Sequence, residues 1–202
     1  MSAREAILAR LGPADGDSAA EARALLDRPE RPAVDAARLI ETFAEQLAAP
    51  SVAASLDRAA SPQELPAAVR RYFAAIPGPP PLYVPPEPWL LALDWTGVAL
   101  DPVCAIDGGA ALALATAAVA ETGSLVLDTA PAAPMLPNFL ALHHLVVVRA
   151  ETLVAHLEDV PAPAHWPRAR YWVTGVSGTT DIEGQYVRGA HGPRFLHVIL
   201  LG

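Results

Sequence analysis

The chain has 202 residues, 52% of them hydrophobic, with a formal net charge of −8. That suffices for one domain with a full core, and it opposes a nucleic-acid partner, which needs clustered cations. All 14 basic residues are arginines and the only cysteine is Cys104, which excludes Schiff-base lysine chemistry, a P-loop, an intrachain disulfide and a four-thiolate cluster.

Residues 2–11 read as a short amphipathic helix with Arg4, Glu5 and Arg10 on its polar side, without the organisation of a signal peptide. Residues 12–33 form a linker punctuated by Gly, Pro and Asp, with a possible helical turn at EARALL. The expected division is therefore an N-terminal helix and linker over 1–33 and an α/β domain over 34–202. From Val34 the pattern becomes periodic. Leu39, Ile40, Phe43 and Leu47 share one helical face, with Glu41 and Glu45 opposite, predicting a helix over 35–48. Ser51–Leu56 is expected as a short strand. SPQE at 61–64 has the form of a capping box, with Ser61 as N-cap and Glu64 reaching back. The helix it opens, over 61–75, carries Leu65, Val69 and Phe73 at four-residue spacing.

Beyond PGPPP the elements shorten. LYV, GVAL, ALALA, SLVL, LVVV, YWVTGV and LHVILL read as strands, and apolar runs without polar alternation suggest burial on both faces. AETLVAHLEDV between LVVV and YWV has helical spacing, predicting a strand–helix–strand unit. The expected architecture is α/β, a mostly parallel sheet that includes LVVV, YWVTGV and LHVILL and is flanked by helices. The most apolar window, 108–127, contains Glu121 and is mostly alanine, too weak for a membrane span. The cytoplasm is the expected compartment.

Three stretches carry chemistry. In GVSGTTDIEG, Thr180 and Glu183 fit a second capping box and are read as structural caps of a short helix. Ser177, Gly178, Thr179 and Asp181 remain unexplained by capping. They lie on a glycine-bearing turn after a strand, where open α/β sheets bind ligands. In GAHGP, His191 sits between glycines, either as a solvated imidazole or as part of the same site. In AETGS, Glu121 precedes Gly123 and is either an exposed acid at a bend or a carboxylate facing the cleft. Glu121, Asp181 and His191 are accordingly the candidate catalytic residues, with Thr122, Gly123, Ser177, Gly178 and Thr179 as candidate substrate-binding residues in one cleft. His143 and His144 enter a strand side by side and point to opposite faces. His156, His165 and His197 have no ligand spacing, and no metal site is expected.

AETGSLVL, GVSGTTDIE and GAHGPRFLHVILL, in that order, resemble the LutC/YkgG family of lactate utilisation proteins, members of the LUD domain group. REAILARL resembles the family's opening helix. The resemblance implies a fold like that of ribose-phosphate isomerases, glucosamine-phosphate deaminases and CoA transferases (NagB/RpiA/CoA transferase-like). It implies a role in oxidising L-lactate to pyruvate beside iron–sulfur partner subunits, with no cofactor in this chain and a small hydroxy acid as possible ligand. Ser177, Thr179, Asp181, Ile182 and Glu183 match the family's turn. Val176, Gly178 and Thr180 stand where the family commonly has proline, a basic residue and alanine. Two other readings stay open: a stand-alone isomerase-, deaminase- or CoA transferase-like enzyme with Glu121 as base or nucleophile, and a binding module without chemistry.

Overall fold

The computed structural model describes residues 2–11, 17–27, 31–180, 183, 185–189 and 191–202. It divides into two compact units, one ending at Ala33 and the other beginning at Val34. In the first unit, helix α1 spans Ala3–Leu11. Ser2 and Glu5 form a reciprocal capping box, each side chain accepting from the other's backbone N–H at 3.2 and 2.6 Å. The EARALL turn is a full helix, α2, Ser18–Asp27, whose first turn is capped by Asp17.

The second unit opens where Asp35 accepts a hydrogen bond from Ala37 N–H at 2.9 Å. A 3-10 turn then runs into α3, Leu39–Ala48, with Phe43 and Leu47 buried. Strand β1, Ala54–Ala59, begins later than Ser51. The SPQE box is not formed as expected. Ser61 makes no side-chain cap, Pro62–Glu64 is a 3-10 turn, and Glu64 accepts from Ala60 N–H at 3.0 Å. Helix α4, Leu65–Ala74, buries Leu65, Val69 and Phe73 as their spacing requires. The proline-rich segment permits only β2, Leu82–Tyr83, and the short α5, Pro88–Leu91. GVAL forms only an isolated bridge from Leu100 to Leu82.

Three strands follow: β3, Ala110–Leu114; β4, Ala117–Val119; and β5, Ser124–Asp128. The short α6, Leu136–Leu140, leads into β6, His143–Arg149. The stretch expected to be helical is instead a 3-10 turn, Ala150–Thr152, then β7, Leu153–Val154, then a second 3-10 turn, Leu157–Asp159. Its apolar residues sit in a sheet edge, so Leu153 pairs with Ala118. The chain continues through β8, Arg170–Val173; β9, Gly178–Thr180; β10, Tyr186–Arg188; and β11, Phe195–Leu201.

Five strands form a wholly parallel sheet in the order β1-β11-β6-β3-β2. Alternate residues of its central strands feed two cores. Val146, Val148, Val198 and Leu200 pack with Phe43 and Leu47 of α3. Leu145, Val147, Ile199 and Leu201 pack with Leu65, Val69 and Phe73 of α4. This two-sided burial explains the unbroken apolar runs, and each fully buried Leu, Ile, Val or Phe contributes about 1.5–3 kcal/mol. YWV does not join this sheet. As β8 it closes a second, four-stranded sheet, β7-β4-β5-β8, lying antiparallel to β5. Arg170 clamps that pairing, with Nε and Nη2 donating to both Asp128 oxygens at 2.7 and 2.8 Å. Leu125, Leu127 and Leu153 of the second sheet share the α3 core.

Candidate functional site

Two loops that sequence placed near one another are joined by backbone hydrogen bonds. Ser177 N–H donates to Pro193 O at 2.8 Å, and Gly189 N–H donates to Ser177 O at 2.8 Å. Gly175 has φ +94°, and a Cβ there would lie 2.7 Å from Val52 O, so this bend requires glycine. Val176 N–H donates to the same carbonyl, seating the turn against the loop between α3 and β1. The loops bound a cavity of about 270 Å³ together with α6, β8 and the first residues of β6 and β11. It lies at the amino-terminal end of the parallel sheet, because β8, whose carboxyl end the turn follows, belongs to the other sheet.

The polar groups at the cavity are Asn138, His144, Thr174, Ser177 and His191, and its aromatic surface comes from Phe139 and Trp172. Among the described residues no aspartate, glutamate or arginine lines it. His144 is 2% exposed, its Nε2 has no hydrogen-bond partner, and burial pushes its pKa down to about 4. It is a neutral imidazole at physiological pH. Asn138 is held in place by donating from Nδ2 to Tyr171 Oη at 2.7 Å.

Of the residues expected in one cleft, Ser177 and His191 line this cavity. Thr122 reaches it only indirectly. Its hydroxyl is 2.7 Å from Ser124 Oγ, which is 2.6 Å from Thr174 Oγ1. Glu121 does not line the cavity, since its carboxylate accepts from Leu157 N–H at 2.7 Å and holds the 3-10 turn there. Gly123, with φ +70°, seats its bend against Gln46 at the end of α3. Gly178 and Thr179 lie in β9, paired with Arg188 and Val187, and do not line the cavity. The short helix expected from Thr180 falls largely on residues 181, 182 and 184, which lie outside the described residues. Thr180 is the last residue of β9, opposite Tyr186, and Glu183 lies in a turn. Asp181 lies outside the described residues, as does Ile182.

Sequence reasoning missed His144, Asn138, Phe139, Trp172 and Thr174. The opposite orientation of adjacent histidines was legible, and His143 indeed faces away, accepting or donating at 2.8 Å with Tyr72 Oη on the α4 side. Nearby, His197 is 2.8 Å from Ser55 Oγ and stacks on Tyr72 at 4.2 Å. Cys104 is buried, and its thiol is pushed up by burial and by Asp101.

The parallel central sheet flanked by helices defines an α/β domain, and residues 107–201 match the family model of the LUD domain. Over 134 residues the sequence is 34% identical to "Lactate utilization protein C" of Deinococcus radiodurans, covering 58% of this chain and 59% of that protein. The chain thus spans about three fifths of the relative's length. The crystal structure of a DUF162 family protein from Deinococcus radiodurans shares the fold, with a TM-score of 0.58 and 22% identity. The alignment covers 84% of this chain and all of that one. Among the described residues, no helix is long and apolar enough to cross a membrane.

Proposed function

We propose that this chain is a ligand-binding subunit of a cytoplasmic lactate utilisation system, acting beside iron–sulfur partner subunits that carry the electrons. The observation that carries the reading is the 34% identity to a protein named for lactate utilisation. The single cysteine supports the division of labour, since a cluster bound here would need most of its thiolates from elsewhere. The cavity beside Ser177 and His191 is the proposed ligand site, with neutral His144, Asn138 and Thr174 as its hydrogen-bonding groups. With Glu121 engaged in capping, the geometry gives no support to a stand-alone enzyme using it as base.

The test is purification of the tagged chain from its native host, with iron analysis and lactate-dependent dye reduction. Purified alone, the protein is expected to be colourless and inactive with lactate. Co-purified, it should bring iron-containing partners and reduce dye. Stoichiometric iron in the isolated chain, or lactate oxidation without partners, would show the division of labour to be wrong.

A further inference from the structure

The proposed site differs in chemistry from a hydroxy-acid clamp. A lactate site in a protein interior would normally match the carboxylate with arginine or lysine. This cavity has no charged side chain among its described lining residues. Its polar groups are an amide, two hydroxyls and two imidazoles, one of them held neutral by burial. Its size also exceeds lactate's. An apolar cavity of about 150 Å³ accommodates one benzene ring, and this one is about 270 Å³, room for two fused rings. Phe139 and Trp172 supply the aromatic surface on which a flat ring packs best.

We infer that the cavity binds a neutral, planar two-ring ligand carrying carbonyl oxygens, of the naphthoquinone type, rather than lactate. The inference rests on the cavity being the subunit's ligand site. Imidazole N–H, amide and hydroxyl groups would donate to the carbonyls without needing a charge on the ligand.

The test uses the full chain and three probes. The first is a naphthoquinone methylated at both free quinone-ring positions, so that Cys104 cannot add to it. The others are naphthoate, of similar size but anionic, and L-lactate. Calorimetry gives affinities, and the indole N–H resonance of Trp172 reports occupancy of the cavity. The quinone should bind one to one, about tenfold or more tighter than naphthoate, with lactate leaving Trp172 unmoved. Trp172→Ala and Phe139→Ala, at positions 43% and 44% exposed and therefore compatible with folding, should each weaken it about tenfold. Lactate shifting Trp172 while the quinone does not would overturn the ligand class and leave the site standing. No shift with any probe would overturn the site as well.

Discussion

Replacing Gly175 by alanine tests how the site's turn is held. Two costs are written in the structure. The backbone sits at φ +94°, a region that costs an L side chain about 1–2 kcal/mol. The added Cβ would also lie 2.7 Å from Val52 O and 2.8 Å from Val52 Cα. Those are backbone atoms that cannot swing aside, and such overpacking costs about 1–3 kcal/mol. The sum, about 2–5 kcal/mol, corresponds to a fall in melting temperature of about 4–20 °C for a domain of this size. Gly78→Ala is the control, because Gly78 has φ +61° and nothing within 4 Å of the added Cβ. It should cost only the conformational part, about 1–2 kcal/mol. Paired thermal melts measure the difference. If Gly175→Ala melts no lower than Gly78→Ala, the close approach of the turn to Val52 is not the constraint described here.

Glu121→Gln should lower stability by about 1 kcal/mol through loss of a charge-assisted bond to Leu157 N–H, read by thermal melts, and leave naphthoquinone affinity unchanged. Lost binding with intact stability would return Glu121 to the site. Asp128→Ala breaks the two-point clamp from Arg170 and should cost about 1.5–3 kcal/mol in urea titrations. Stability should also fall in acid. His144 and His197 have folded pKa values pushed down to about 4 by burial, against about 6.5 unfolded. Below pH 6.5 the unfolded chain therefore takes up protons that the folded one refuses. Stability is full above pH 6.5 and is lost between pH 6.5 and 4, at up to about 1.4 kcal/mol per pH unit for each histidine. His144→Phe should flatten that slope, and an unchanged slope would show that His144 does not stay neutral.

The parts of the fold legible in sequence are those where local pattern and tertiary environment agree. LVVV and LHVILL are apolar without alternation because both faces of β6 and β11 meet a core. Phe43 and Leu47 predict α3 because only one of its faces is buried. AETLVAHLEDV misleads because Leu153 and Leu157 keep helical spacing while Leu153 pairs with β4 and Glu121 fixes Leu157 N–H. Neither partner is near in sequence. At the site, the joining of the Ser177 and His191 loops was legible from their glycines. His144 and Trp172 were not, because nothing local tells a buried strand residue from one beside a cavity.

Strand β1 pairs with β11, and Ser55 stands opposite His197, 142 residues further along. The edge of the parallel sheet therefore cannot form on the ribosome until nearly all of the intervening chain has emerged. Until then β1 keeps unpaired N–H and C=O groups, and the faces meant for α3 and α4 lack β11 between β1 and β6. Long-range parallel pairing of this kind slows folding, because the chain entropy of closure is lost before the contacts repay it. Newly made chains should thus spend longer as intermediates with exposed strand edges than a helical protein of equal size, and aggregation at that stage would limit yield even where the finished domain is stable.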